Sequence, residues 1–352
     1  MFFASDNWAG AHPSVAANLS RHAAGFMSAY GSSDLDRQVE RTFCDVFERE
    51  VAVFFVGTGT AANALSMTML ARPGGVFFAH RDAHMIADEG GAVEYLSGGG
   101  RLAPVDGPLG RMTPQALEAG IARYPAAFVH SGQPAAVSIT QASEIGTLYG
   151  TADIEAIAAV AARNGVALHM DGARFANALV ALGITAAEMT WKRGVDIVSF
   201  GGTKNGCWCA EAVVVMNPGD PGRAGQFPFI RKRAAQLFSK SRFVAAQFEA
   251  YFRDGLWLET ARRSNAMAQR LAAHVRASAK ARLAWEPQAN EVFPVLKRDV
   301  AEKLKAAGAV FYPWHPPREI AGTVAGDEIL VRLVTSFATA PDEVDRFGEL
   351  LA

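Results

Sequence analysis

The sequence predicts an α/β protein with a mostly parallel central sheet, helices on both of its faces and a smaller C-terminal α+β domain. Short apolar runs, such as residues 166–170 and 196–200, alternate with segments of helical length, which is typical of strand-helix pairs around a parallel sheet. After residue 253 one long helix is followed by short strands, which indicates a second domain. We therefore expect an N-terminal arm over residues 1–30, a large domain over 31–252 and a small domain over 253–352.

Composition favours a protein that binds a small molecule. The chain has 352 residues, 50% of them hydrophobic, which is enough for a large core. The net charge of −1 gives no electrostatic reason to expect nucleic acid or an anionic membrane as a partner. No secretory signal and no run of 18 apolar residues is visible. Three cysteines, two of them only one residue apart, fit neither a disulfide framework nor a zinc half-site and indicate the cytoplasm.

The first half of the chain contains a candidate phosphate site. Residues 1–30 predict an extended arm, because Gly10 and Pro13 interrupt any regular element. A helix is predicted over residues 33–50, with Ser33 as its N-cap. A strand over residues 53–56 then runs into a glycine turn and a helix from Thr60. Because backbone N–H groups at a helix N-terminus bind phosphate, Gly59 and Thr60 are candidate ligands.

The remaining elements follow the same alternation. Strands are predicted over residues 76–79, 127–130 and 136–139, and helices from Met85 and over residues 113–124 and 154–164. The small domain has a helix over residues 258–280 and strands near residues 291–295 and 329–334. Five basic residues between positions 231 and 242 predict a solvated helix face.

Lys204 and Asp171 are the strongest chemical signal in the sequence. Lys204 follows a buried strand and the small residues Gly201, Gly202 and Thr203, and a partly desolvated lysine there is a nucleophile that can form a Schiff base. Asp171 ends another strand 33 residues earlier, so both side chains can lie at one edge of a parallel sheet. Pyridoxal phosphate needs such a pair, because a carboxylate keeps its pyridine nitrogen protonated and a lysine holds its aldehyde carbon.

Taken together, these stretches resemble the fold-type I pyridoxal-phosphate enzymes, and within them the low-specificity L-threonine aldolase and phenylserine aldolase family of the beta-eliminating lyase superfamily. The resemblance runs from Ser5-Asp6-Asn7 through Ala83-His84 and residues 170–174 and 201–206 to Arg332-Leu333-Val334-Thr335. It implies cleavage of L-threonine, L-allo-threonine and related β-hydroxy-α-amino acids to glycine and an aldehyde. It also implies a homodimer or homotetramer with active sites at the subunit interface.

The resemblance also implies roles for individual residues. Lys204 would hold the cofactor, Asp171 would bind its ring nitrogen, and His84 would stack on the ring and reach the β-hydroxyl. The cofactor-binding set is Lys204, Gly59, Thr60, His84, Asp171, Arg174 and Thr203. The substrate-binding set is Ser5, Arg174 and Arg332.

More than one interpretation remains open for several of these positions. Ser5 could cap a local element instead of binding a substrate carboxylate, and His80 competes with His84. Residues 140–146 lack the histidine that one subset of the family places near the β-hydroxyl, and Ser143 and Glu144 stand there instead. The base for the β-hydroxyl is therefore open, and His130 precedes this loop.

Three further classes of function are also open. A β-eliminating lyase or an aminotransferase would share Lys204, Asp171 and the phosphate turn. A dinucleotide-binding protein would need a third glycine in register with Gly57 and Gly59. A cofactor-free binding protein is the third class.

Overall fold

A computed structural model describes residues 1–220 and 222–352. The strands in this part of the chain form a seven-stranded and a five-stranded sheet. They are β1 (Ala52–Val56), β2 (Gly75–His80), β3 (Arg101–Val105), β4 (Gln133–Thr140), β5 (Ala167–Gly172), β6 (Ile197–Gly201), β7 (Glu211–Val215), β8 (Ala281–Leu283), β9 (Glu291–Val292), β10 (Pro294–Lys297), β11 (Tyr312–Pro313) and β12 (Glu328–Val334).

Helices cover both sheets. They are α1 (Pro13–Arg21), α2 (Asp34–Val46), α3 (Gly59–Leu70), α4 (His84–Ala87), α5 (Ala92–Leu96), α6 (Pro114–Ala122), α7 (Thr151–Arg163), α8 (Phe175–Leu182), α9 (Ala186–Met189), α10 (Phe227–Arg233), α11 (Arg242–Phe252), α12 (Leu256–Ala277), α13 (Arg298–Ala306) and α14 (Pro341–Leu351). Among the described residues, no helix has the length and apolar character needed to cross a membrane.

The large sheet confirms the prediction of a mostly parallel α/β fold. Its strand order is β1-β7-β6-β5-β4-β2-β3. Strands β3, β2, β4, β5 and β6 run parallel, whereas β7 is antiparallel to both β6 and β1. Every residue of β5, β6 and β7 is buried, as expected for strands covered on both faces. The carboxyl ends of β5 and β6 therefore meet at one edge.

The small sheet is antiparallel, with the order β11-β12-β10-β8, and β9 pairs with β12. Its core contains side chains from α12, α13 and α14 and the fully buried Phe3 from the chain start. Phe3 N donates to Val310 O at 2.9 Å, and Val334 N donates to Phe3 O at 2.8 Å. The first residues are therefore held against the small sheet.

The expectation that Pro13 prevents regular structure in the arm is wrong, because Pro13 begins helix α1. Proline is tolerated at the first helical position, where its missing N–H would have no intrahelical partner. His12 Nδ1 accepts from Ser14 N at 3.2 Å and caps the helix. Asn18 Nδ2 donates to Ala246 O at 2.6 Å, which holds α1 against α11.

The prediction of a strand over residues 127–130 is also wrong, because this segment is in turns. Phe128 and Val129 are 53% and 87% exposed, so their apolar side chains do not contribute to the core. The strand of this region, β4, begins only at Gln133. The apolar run therefore carried β propensity without the burial that stabilises a central strand.

Candidate active site

A cavity of about 260 Å³ lies at the carboxyl ends of β5 and β6. Asp171 on β5 pairs in register with Ser199 on β6, and the chain turns into the cavity wall directly after β6. Parallel pairing thus brings together two positions far apart in the sequence. Six of the predicted residues line this cavity: Gly59, Thr60, His84, Asp171, Thr203 and Lys204.

The turn that carries Lys204 is fixed by close backbone packing. A Cβ on Gly201 would lie 2.6 Å from Ala173 O, and one on Gly202 would lie 2.7 Å from Ala210 O. Only glycine therefore fits at either position. Asn205 Nδ2 donates to the Tyr251 hydroxyl at 2.7 Å, which holds the far side of the turn. The half-buried Lys204 thus extends from a rigid base.

Asp171 and His84 are joined by a chain of buried polar side chains. Asn63 Nδ2 donates to Asp171 Oδ2 at 2.8 Å and to Glu89 Oε1 at 2.9 Å. Glu89 Oε1 lies 2.9 Å from His84 Nδ1. The other Asp171 oxygen accepts from Ala173 N at 3.0 Å. One network therefore positions both Asp171 and His84 in the cavity lining.

This network changes the pKa of His84. The hydrogen bond to Glu89 raises the pKa of His84 above its usual value, although burial acts against it. Burial raises the pKa of Glu89 itself. Sequence reasoning missed Asn63 and Glu89. A polar residue in the apolar helix α3 and a carboxylate five residues after His84 were the available signals.

The phosphate turn precedes α3, a helix of 12 residues. Thr58 Oγ1 accepts from Ala61 N at 3.1 Å and caps the helix. A Cβ at Gly59 would meet no atom of the described residues within 4 Å, so the turn borders open space. Backbone N–H groups of the first turn have no intrahelical acceptors and carry the positive end of the helix dipole. This arrangement fits a phosphate group.

Glu211 is another cavity residue that sequence reasoning missed. Strand β7 is antiparallel to both neighbours, so its first residue pairs with Val56 at the end of β1 and Gly201 at the end of β6. Thr203 N donates to Glu211 Oε1 at 3.3 Å. Burial raises the pKa of Glu211 to about 7, against the effects of Thr203 and Lys204. The wall beside Lys204 therefore has a carboxyl that titrates near neutral pH.

The three residues predicted to bind the substrate carboxylate lie outside the lining of this cavity. Arg174 Nε and Nη2 donate to the two Asp6 oxygens at 2.7 and 3.1 Å, and both side chains are buried. The Arg332 guanidinium lies 4.3 Å from the centroid of the Trp314 ring. Arg332 Nε is buried and has no hydrogen-bond partner among the described residues. Arg332 is thus the more available cation.

Ser5 caps a local element, as the simpler of its two interpretations expected. Its hydroxyl accepts from Asn7 N at 3.1 Å at the start of a 3₁₀ turn, Asp6–Trp8. Ser5 borders a separate surface groove with Trp8 and Ser336, whereas Asn7 lines the main cavity.

The sequence left open a competitor of His84 for stacking on the ring and several candidates for the β-hydroxyl base, and these residues lie in distinct environments. His80 is buried, and its Nε2 lies 3.0 Å from Gly107 O. Ser143 is buried and hydrogen-bonded to Thr147 at 2.7 Å. Glu144, in the same loop, lines the main cavity. His130 packs against exposed Phe128, in the segment that precedes β4.

A second cavity of about 440 Å³ adjoins the first. Glu144 belongs to both linings, so it stands at their boundary. Trp314 and Ile145 provide apolar surface, and Arg81 and Arg318 provide charged side chains in the lining. A substrate group could extend from one cavity into the other.

The fold and the cavity together define a fold-type I pyridoxal-phosphate-dependent enzyme. A lysine on a rigid turn, a buried carboxylate in the same cavity and a capped helix N-terminus are the groups that this cofactor requires. The model of the beta-eliminating lyase family matches residues 3–299. The chain belongs to this family.

Two curated relatives and one solved structure are similar over most of the chain. Low specificity L-threonine aldolases of Pseudomonas sp. (strain NCIMB 10558) and Pseudomonas aeruginosa are each 37% identical over 311 residues, which is 88% of this chain and 88% of each relative. The structure of Leishmania major threonine aldolase superposes with a TM-score of 0.91 and 27% identity, covering 99% of this chain and 98% of that one.

Proposed function

We propose that this protein cleaves L-threonine, L-allo-threonine and related β-hydroxy-α-amino acids to glycine and an aldehyde, with pyridoxal phosphate as its cofactor. The observation that carries the proposal is the convergence of Lys204, Asp171 and His84 on one cavity in a fold shared with threonine aldolases. The activity is that of an aldehyde-lyase.

Four groups of the cavity would hold the cofactor. Lys204 would bind the aldehyde carbon, and Asp171 would accept a hydrogen bond from the protonated ring nitrogen. Gly59 and Thr60 at the start of α3 would bind the phosphate, with Thr203 nearby. When bound, pyridoxal phosphate supplies an electron sink for the pair released as the Cα–Cβ bond breaks.

The remaining residues would orient the substrate and move its protons. Arg332 would bind the carboxylate and thereby set the direction of the Cα–Cβ bond. His84 would take the β-hydroxyl proton directly or through a water molecule, because Glu89 holds its Nδ1 while the residue lines the cavity. Glu144, between the two cavities, is the alternative base. Arg174 would contribute to the carboxylate site through its pairing with Asp6.

The second cavity would accept the substituent at Cβ. Its volume of about 440 Å³ and its Trp314 and Ile145 surface suit a bulky group as well as the methyl of threonine. We therefore propose that β-aryl substrates such as phenylserine are also cleaved.

We further propose a homo-oligomer whose interface adjoins the phosphate turn. Gly57 N donates to Gln236 Oε1 at 3.1 Å, and Tyr30 N donates to Ser239 O at 3.1 Å, so residues 236–242 contact both this turn and the segment 23–32. Exposed aromatic side chains belong to the same region: Phe26, Tyr30, Trp208 and Phe229. A second copy of the chain would cover this surface and complete the site as a homodimer or homotetramer.

We also propose the cytoplasm as its compartment. All three cysteines are free thiols. Cys207 N donates to Gly202 O at 3.0 Å, so one of these thiols packs beside the turn that carries Lys204. Free thiols so close to a reactive site are retained in a reducing environment.

Product analysis tests the proposed reaction. Purified enzyme with pyridoxal phosphate should release equimolar glycine and acetaldehyde from L-threonine, and glycine and benzaldehyde from L-phenylserine. Release of ammonia and a keto acid would identify a β-eliminating lyase instead. Transfer of the amino group to a keto acid would identify an aminotransferase.

A further inference from the structure

Glu291 lies between the two arginines of the carboxylate site. Its side chain is 0% exposed, and its Oε1 lies 3.4 Å from Arg174 Nη2 and 3.8 Å from Arg332 Nη1. Gly146, whose φ of +71° suits glycine, brings its backbone against this side chain, because a Cβ there would lie 3.0 Å from Glu291 Cβ. Three separate parts of the chain thus enclose one carboxylate.

Neither Glu291 oxygen has a hydrogen-bond partner among the described residues, although both are buried. A buried carboxylate in this state is costly, and its charge is balanced only by the two nearby guanidinium groups. Asp6 differs, because it accepts two hydrogen bonds from Arg174 and one from Asn290 at 3.1 Å. Protonation of Glu291 therefore disrupts fewer hydrogen bonds than protonation of Asp6.

We propose that Glu291 is the resident counter-ion of Arg332 and that it takes up a proton when a substrate carboxylate binds there. The proposal rests on the function proposed above. Without substrate, the charges of Arg174 and Arg332 are balanced by Asp6 and Glu291. An incoming carboxylate adds a third anion beside two cations, and proton uptake by Glu291 restores neutrality. Glu291 is thus a positioning residue that couples substrate binding to pH.

The charged groups around Glu291 agree with this assignment. They are Arg174 before α8, Arg332 on β12, Asp6 in the first 3₁₀ turn and Glu144 in the loop after β4. Burial raises the pKa of Glu291, the two arginines lower it, and the pKa stays above its usual value. Burial also raises the pKa of Asp6, but the positive charges of Arg174 and Lys204 outweigh burial, so the pKa of Asp6 lies below its usual value. A substrate carboxylate would raise the pKa of Glu291 further.

Calorimetry of glycine binding tests the proposal. Holoenzyme is titrated with glycine in buffers of different ionisation enthalpy, which gives the number of protons taken up. Wild type should take up more protons than Glu291→Gln, by up to about one per site, within the pH interval between the free and bound pKa of Glu291. The difference should vanish above and below this interval. Glu286→Gln, a change at an exposed glutamate in the preceding loop, is the matched control and should behave as wild type.

Affinity provides a second readout. Wild type should bind glycine less tightly as pH rises through the pKa of Glu291, whereas Glu291→Gln should show no such dependence and bind about tenfold more tightly at high pH. Weaker binding by Glu291→Gln at every pH would overturn the proposal, because it would show that Glu291 only holds Arg332 in place. Infrared difference spectra of wild type with labelled glutamate should show a new protonated carboxyl on glycine binding, which needs no variant.

The outcomes separate this proposal from the proposed reaction. Equal proton uptake in wild type and Glu291→Gln, with normal threonine cleavage, would overturn the role of Glu291 alone. Proton-linked glycine binding without threonine cleavage would support Glu291 and overturn the reaction. Failure of wild type to bind glycine at all would overturn both.

Discussion

At the scale of single residues, the proposed chemistry depends on Lys204 and on the rigidity of its turn. The turn packs glycine backbone against neighbouring strands and is anchored by Asn205. A rigidly held reacting group loses less conformational entropy when it reaches the geometry of the reaction. The phosphate turn and Asp171 belong to other elements, so cofactor binding and covalent attachment should be separable.

Lys204→Ala should lower multiple turnover by about a thousandfold or more while leaving part of the cofactor affinity intact, because Asp171 and the α3 N-terminus are unchanged. Steady-state assays and equilibrium dialysis would measure the two effects. Lys192→Ala removes an exposed lysine paired with Glu48 and is the control. Borohydride reduction and peptide mapping should place the pyridoxyl group on Lys204, and a different site would contradict the assignment.

Glu89→Gln should move the acidic limb of the pH profile of kcat/KM to lower pH. Glu89 raises the pKa of His84, and an amide cannot stabilise the imidazolium in the same way. Since the base must be neutral to accept a proton, a lower His84 pKa keeps it active at lower pH. Glu118→Gln, at an exposed position on α6, should leave the profile unchanged. An unshifted acidic limb would indicate that another group, with Glu144 the first candidate, acts as the base.

At the scale of secondary structure, α3 and the loop after β4 make different contributions. Helix α3 begins beside open space, and its first N–H groups lie where we propose that the cofactor phosphate binds. The loop is held by two hydrogen bonds of 2.9 Å between Gln141 and the backbone of Tyr149, and it places Glu144 in the cavity wall. The helix should therefore control cofactor affinity, and the loop should control selectivity at Cβ.

Gly59→Ala should weaken cofactor binding at least about tenfold, or 1.4 kcal/mol, because the added methyl group occupies space next to the phosphate. The stability of the apoenzyme should not fall, since no atom of the described residues lies within 4 Å of the new Cβ. Equilibrium dialysis and thermal unfolding measure the two quantities. Gly322→Ala, at an equally open position away from the cavity, is the control. Unchanged cofactor affinity would show that the phosphate does not bind at the start of α3.

We predict an enzyme that is strict at Cα, because the cofactor and Arg332 would hold that centre, and permissive at Cβ, because the loop after β4 has no histidine for the β-hydroxyl. Ser143 is hydrogen-bonded within the loop, so only Glu144 reaches the cavity wall from the described residues of this loop. Values of kcat/KM for L-threonine and L-allo-threonine should therefore differ by less than about a hundredfold, or about 2.7 kcal/mol. D-Threonine should not react. A larger ratio between the L isomers would mean that one Cβ configuration has a dedicated base, and Glu144 would be the first residue to substitute.

At the scale of the whole molecule, the site lies where the two sheets and the chain start meet. Asp6 comes from the N-terminal segment, Arg174 from the turn between β5 and α8, and Glu291 and Arg332 from the small sheet. The carboxylate site therefore depends on how these parts pack together. If the proposed oligomer forms through the exposed aromatic surface beside the phosphate turn, the site also depends on assembly.

Phe26→Glu combined with Trp208→Glu should convert the proposed oligomer into a monomer and lower cofactor occupancy. Both side chains are more than half exposed near the phosphate turn, and charges there would be buried by a second copy. Light scattering gives the mass, and visible absorbance gives the occupancy. Phe128→Glu, at a 53% exposed aromatic residue before β4, is the control. A double variant that keeps wild-type mass would place the interface elsewhere.

The sequence by itself determined the local elements and the chemistry at their ends. Strand and helix periodicity predicted the parallel sheet, and parallel pairing of neighbouring strands made the approach of Asp171 and Lys204 predictable. Residues 127–130 and Pro13 show where local signals were insufficient, because burial and packing on α11 decided those segments. Only the tertiary structure placed Asn63 between Asp171 and Glu89, paired Arg174 with Asp6, and enclosed Glu291 between two arginines. These contacts join residues that are remote in sequence, and side-chain identity alone does not define the distances on which their charge and hydrogen bonding depend.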